Sequence, residues 1–357
     1  MNKILISFFL LLVSANSFAL ITDKLGIYGK IALLSAVDFD EGSQALGDNS
    51  SRLGITYNEE EIMEGWTASL RAEWSINTNR NNSGFGSSNF EGKQYDVVSN
   101  SGPFGNRLGY LSLNNKDLTI SAGKMWSIFY DVAEYTDLFF TDGARASSAY
   151  TATGEVDGTY RASEVIQLRY KYENFRFGLQ TKLTGKEMIS YDFDGDGTAD
   201  SSLVYKQAQA ASIQYVKNKY TLGISALNLI FDNNGQNESQ LSISYGFKYN
   251  FSKFFLNGVY TRAKDLELTN DSRFVHSDGI EGILGYRLKE NSRVMLGVNH
   301  QTRSESGDFK LLYYYASYSV DIKRLNLAAE YIHGDSRNND GSDNKEHKLK
   351  LAASLSF

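Results

Sequence analysis

The chain has 357 residues, a net charge of −6 and no cysteine, with one proline against 31 glycines and 13% aromatic residues. The acidic balance argues against a nucleic-acid partner, and the missing thiols exclude disulfides and a cysteine nucleophile. Beyond residue 19 no apolar run approaches the ~20 residues that a membrane-spanning helix needs.

Residues 1–19, MNKILISFFLLLVSANSFA, read as a secretory signal peptide. Lys3 is the positive start, 4–13 the apolar stretch, and Ser17-Phe18-Ala19 a small-x-small cleavage site. The mature chain is then expected to run over 20–357 as one domain outside the cytoplasm. From there apolar and polar residues alternate. WTASLRAEW puts Trp66, Ala68, Leu70, Ala72 and Trp74 on one face. LSISYGFKYNF does the same with Leu241, Ile243, Tyr245, Phe247, Tyr249 and Phe251, and LKLAASLSF with Leu349, Leu351, Ala353, Leu355 and Phe357. SRLGITY, NFRFGLQ, KYTLGIS and RLNLAAEY repeat the pattern. A period of two is the mark of strands.

Short turns are expected at 59–65, 114–117, 172–174, 217–219, 250–253, 289–292 and 321–324. Long polar segments fall around 40–50, 77–105, 127–158, 185–202, 232–240, 265–278, 303–309 and 335–346. Aromatic pairs bracket the short turns: Tyr172 and Phe175, Tyr215 and Tyr220, Tyr249 and Phe254. Counting predicts about 16 antiparallel strands, an all-β transmembrane barrel with an apolar outer face, an aromatic girdle and long loops on the cell exterior. Closure satisfies every strand edge, as a bilayer requires, and this strand number leaves an aqueous channel. By the cost of a charge facing lipid, about 2–4 kcal/mol for Arg or Lys at midplane, Arg52, Arg71, Glu73, Arg169, Lys171, Arg176, Lys182, Lys248 and Arg287 belong to the lumen or its rims.

LGIYGK (25–30), SSRLGITY (50–57), FGNRLGYLSL (104–113), ISAGKMWSIFYDVAEYTD (120–137) with TYR (159–161), and the terminal Phe357 together resemble the trimeric general-diffusion porins of Gram-negative bacteria. YDVAEYTD after a strand ending in GK is the most specific match. The resemblance implies an outer-membrane channel for passive diffusion of small hydrophilic solutes and ions, without a cofactor. It implies a third loop, here about 127–158, folded into the barrel. It also implies a homotrimer latched by 75–100, contact with lipid and lipopolysaccharide, and recognition of Phe357 by the barrel-assembly machinery. Residue by residue, the constriction bases match Lys30, Arg52, Arg107 and Arg161, and the first loop acid matches Asp137. At the loop tip FTDGA (140–144) departs from the family pattern. Thr141 stands at the expected glutamate position and Asp142 follows one residue later, so Asp142 is the candidate second acid. With Asp131, Glu134, Asp137, Asp142, Glu155 and Asp157 against Arg145 on the loop, a weak preference for cations is expected.

Two further readings stand beside this one. DFDGDGTAD (192–200) opens like a calcium loop, with Asp192, Asp194 and Asp196 at positions one, three and five. Thr198 offers a carbonyl at seven, and Asp200 stands at nine. Position twelve is Leu203 rather than a bidentate glutamate, so binding is expected only near ~10⁻⁴–10⁻³ M; the alternative is a solvated acidic loop. The other reading is an outer-membrane barrel enzyme, a protease or phospholipase. It needs a nucleophile–base set, and the nearest approach is His333, Asp335 and Ser336 in YIHGDSRNN.

Overall fold

The computed structural model describes residues 24–76, 78, 104–141, 143–149, 158–183, 187–191, 201–233, 235–268, 274–304, 308–338 and 341–357. The expected signal peptide, most of 75–100, Asp142 and the whole of 192–200 lie outside the described residues.

The strands are β1 (Leu25–Asp38), β2 (Gln44–Asp48), β3 (Arg52–Met63), β4 (Trp66–Ile76), β5 (Phe104–Asn114), β6 (Leu118–Trp126), β7 (Arg161–Tyr172), β8 (Phe175–Lys182) and β9 (Glu187–Tyr191). They continue with β10 (Ser201–Lys217), β11 (Tyr220–Asn233), β12 (Gln236–Phe251), β13 (Phe254–Leu268), β14 (Phe274–Lys289), β15 (Ser292–Arg303), β16 (Lys310–Ile322), β17 (Leu325–Arg337) and β18 (Asp343–Ser356). One helical turn, α1 (Tyr130–Ala133), lies between β6 and β7. All pair antiparallel in one sheet. The short β2 and β3 share β1 as partner, and β8 and β9 share β10, so the segments form sixteen staves. The circle closes where Lys30–Asp38 meet Ser356–Lys348. Phe357 prolongs that seam with two backbone hydrogen bonds of 3.0 Å to Gly29.

The alternation faces as expected. Leu222, Ile224, Tyr245, Phe247, Leu351 and Leu355 are exposed on the outside, and so are the turn-bracketing Tyr172, Phe175, Tyr220, Tyr249 and Phe254. Six of the seven short turns fall where the sequence placed them; in the first, 59–63 is strand in β3 and only 64–65 turn. The segment around 232–240 departs from expectation. It is almost wholly strand, β11 ending at Asn233 and β12 starting at Gln236. Asp232 Oδ1 accepts from the Gly235 N–H at 2.6 Å, and Gly235 takes a φ of +88°, a conformation that glycine adopts without steric cost.

The inner face is not uniformly polar. Leu227, Leu229 and Phe231 on β11 point inward and are buried against Ile128 and Phe129 of the segment that follows β6. Phe139 and Ala146 of the same segment pack with Ile283, Met295, Leu311 and Tyr315. The hydrophobic core of this protein is therefore inside the barrel, between wall and inward loop. Burial of each large side chain there stabilises by about 1.5–3 kcal/mol.

Candidate pore constriction

One arc of the wall collects bases. Lys30 on β1 lies directly across from Arg52 on β3. Glu73 on β4 lies across from Gly54, and at that glycine a side chain would run into the Tyr28 ring. A bulge between β4 and β5 pairs Glu73 with Leu108 and Trp74 with Asn106, leaving Arg107 as the extra residue. Bulges re-aim side chains in this way, and here the guanidinium turns inward. Arg107 Nε donates to Glu73 Oε1 at 2.8 Å, Arg71 Nη2 to Oε2 at 3.2 Å and Tyr28 Oη to Oε2 at 2.9 Å. Arg71 Nε also donates to Tyr28 Oη at 2.7 Å, and Arg52 stands 3.9 Å from the same carboxylate. Glu73 is almost fully buried while Arg52 and Arg71 stay a third or more open. Arg161 at the start of β7 stacks on Tyr160 with 4.9 Å to the ring centre. Its charge and that of Arg52 act on Arg107, and those of Arg52 and Arg107 on Lys30.

The opposite arc carries the loop 127–149. Two wall carboxylates hold it. Glu281 on β14 accepts from the backbone N–H groups of Ala146 at 2.7 Å and Ser147 at 2.8 Å, and from the Thr136 hydroxyl. Glu330 on β17 accepts from the N–H groups of Phe140 at 2.7 Å and Thr141 at 2.8 Å, from the Thr141 hydroxyl and from Ser317 Oγ at 3.2 Å. Asn257 Nδ2 donates to the Tyr135 carbonyl at 2.7 Å, and Ser225 Oγ to the Phe129 carbonyl at 2.7 Å. Glycines make room beneath the loop. A Cβ on Gly223 or Gly246 would come within 2.7 Å of Tyr135, and one on Gly178 within 2.7 Å of Ile128.

The loop acids differ in what they hold. Arg169 Nη1 donates to both oxygens of Asp131 at 2.8 Å, which spends that charge. Asp137 accepts from the Tyr130 hydroxyl. Glu134 opens onto the lumen. Crowding by the wall, and then the charge of Asp131, push its carboxyl above the ordinary range, against the opposing pull of Lys248.

Of the sequence-derived residues, Lys30, Arg52, Arg107 and Arg161 thus come to one arc and Asp137 to the inward loop; Asp142 and 192–200 lie outside the described residues. Glu281 and Glu330, which hold the loop, had no sequence-level assignment, and Glu73 had only a place at the lumen or its rims. The available signal was an acid on the polar face of a strand with a glycine or alanine on one side of it, as in GIEGIL and LAAEY. Thr141 serves Glu330 rather than the pore. His333, Asp335 and Ser336 do not form a set: Ser336 is turned inward and bonded to the Leu312 backbone, while Asp335 accepts from Lys310 at 3.0 Å and belongs with His333 to the other face.

A closed barrel of sixteen staves with an apolar outside and a loop laid across a charged lumen is an outer-membrane channel for passive diffusion. The chain belongs to the Gram-negative porin family, whose model matches residues 10–354. The fold is shared with the anion-selective porin of Comamonas acidovorans at 14% identity and a TM-score of 0.71, over 93% of this chain and 99% of that one. It is shared with OmpF of Salmonella typhi, solved with daunomycin, at 16% identity and 0.73, over 93% and 97%. OmpT of Vibrio cholerae, an outer membrane protein solved in a trimer form, is similar at 12% identity and 0.66, over 93% and 99%. No curated protein matches by sequence.

Proposed function

We propose that residues 20–357, released from a cleaved 1–19 leader, form a non-enzymatic pore whose constriction is set between Lys30, Arg52, Arg107 and Arg161 on the wall and Asp137 and Asp142 on the loop. The observation that carries this is the loop held by Glu281 and Glu330 on the side facing the Glu73-centred bases. Opposed charges across a narrow wet passage orient polar solutes and penalise apolar ones, and flux needs no reaction. With Asp131 spent on Arg169 and Arg71 added to the wall, acids and bases come near balance, so ion preference is weak. The homotrimer is supported by the trimer form of the Vibrio cholerae neighbour. Lipopolysaccharide at the outer girdle and the barrel-assembly machinery at Phe357 complete the partners. Planar-bilayer recording of the refolded protein tests the reading. Large ohmic steps closing in threes support it; absence of conductance, with hydrolysis of a peptide or lipid instead, overturns it.

A further inference from the structure

The outer rim near the barrel seam carries a feature that permeation does not use. His333 on β17 and His347 on β18 are direct register partners. They alternate with the inward-facing Ile332, Gly334 and Ser336 and share the outer face with the exposed Tyr331 and Leu351. Their ring centres are 4.7 Å apart. An ion about 2.0–2.1 Å from one nitrogen of each of two imidazoles, at an angle between square and tetrahedral, sets the ring centres about 4.5–5 Å apart. The strands already supply that spacing.

A carboxylate fixes one ring. Asp40, in the turn between β1 and β2, faces His347 Nδ1 through Oδ1 at 2.8 Å and accepts the His347 backbone N–H through Oδ2 at 2.7 Å. With Nδ1–H donated to Asp40, the lone pair lies on Nε2, away from the carboxylate. Carboxylate–histidine pairs orient and strengthen metal ligands in this manner. Tyr314 stacks on the other ring with centres 6.1 Å apart, and among the described residues neither His333 ring nitrogen makes a hydrogen bond.

The geometry points to a divalent transition-metal site at the rim, with His333 and His347 as ligands and Asp40 orienting His347. Imidazole pairs suit Zn²⁺, Cu²⁺ and Ni²⁺ and not the oxygen-seeking Ca²⁺ or Mg²⁺. Among the described residues no group of three or more His, Asp or Glu side chains gathers to hold an ion, so water completes the shell and affinity is moderate. The ion would tie β17 to β18 and, through Asp40, to the β1–β2 turn across the closure of the barrel.

The test uses metal-stripped, tag-free refolded protein titrated with Zn²⁺ and Ni²⁺ by calorimetry, with Cu²⁺ followed by electron paramagnetic resonance. One ion per chain is expected, with a two-nitrogen copper signal. His333→Ala and His347→Ala should each weaken binding at least tenfold, Asp40→Asn about 10–100-fold, and a His276→Ala, His300→Ala double variant not at all. Heat-modified gel migration verifies that each variant is a folded barrel. Equal binding by wild type and both single variants, or no wild-type binding at millimolar metal, overturns the assignment.

Discussion

The two arcs of the barrel interior use the same alternating strands for opposite ends. On β11–β17 the inner face is filled: glycines and apolar side chains receive the loop, and Glu281 and Glu330 accept its backbone N–H groups. On β3–β5 and at the Lys30 end of β1 the inner face is left open, and a buried carboxylate, Glu73, holds Arg107 inside the wall and Arg52 and Arg71 in place without covering them. An acid satisfied by amides makes an anchor; an acid satisfied by guanidiniums makes a poised charged surface.

The largest expected effect breaks the open arc. Glu73→Ala leaves Arg107 inside the wall without its counter-charge, a change that costs about 3–5 kcal/mol where both charges are buried. It should lower thermal stability and scatter the bases, seen as noisy, heterogeneous single-channel currents. Unchanged melting and quiet currents would remove Glu73 from its central position. Next, Glu330→Ala orphans two backbone N–H groups at about 1–3 kcal/mol each. It should leave the barrel assembled and raise open-channel conductance as the loop loosens.

Filling the glycine floor sharpens the contrast more gently. Gly246→Val overpacks the space under Tyr135, worth about 1–3 kcal/mol, and should push the loop toward the bases and lower conductance. Selectivity comes after that. A unit charge ~6 Å from a passing ion in water is worth about 0.7 kcal/mol, roughly threefold in ion occupancy. Asp137→Asn should therefore move reversal potentials toward anions and Arg107→Ala toward cations by comparable amounts. Reversal potentials that stay put in both variants would take these residues out of the constriction. The pH response is smaller again. Because the Glu134 carboxyl is raised above its ordinary value near 4.5, it takes up its proton earlier than an ordinary glutamate as pH falls. Cation permeability should decline over that range, and Glu134→Gln should flatten the response. The smallest effect concerns 192–200, where proteolysis in calcium and in chelator separates two readings: protection by millimolar calcium that Asp194→Ala with Asp196→Ala removes marks a calcium clamp, and equal cleavage marks a solvated acidic loop.

The barrel was legible because facing and turns are local matters. Period two tells which side of a strand meets lipid, and Tyr172, Tyr220 and Tyr249 mark the turns next to them. The bases of the open arc were legible through the resemblance and through the cost of aiming an arginine at lipid. The anchors were not. Glu330 meets Phe140 across 190 residues and Glu281 meets Ala146 across 135, and no local pattern announces a partner at that range. Nor does a sequence show a bulge, so Arg107 could be matched to a motif without its inward turn being seen. The inward-facing Leu227, Leu229 and Phe231 are covered by Ile128 and Phe129, a partner about 100 residues away that period two does not announce.

In the proposed pore, a loop pinned by Glu281 and Glu330 narrows the passage opposite the base-lined arc. Liposome-swelling rates over sugars of increasing size measure that narrowing directly, with wild type compared with the Glu281→Gln, Glu330→Gln double variant. The variant is expected to admit larger oligosaccharides than wild type while small sugars enter both at similar rates. The same size cut-off in both proteins, with the variant confirmed as a folded barrel, would contradict it.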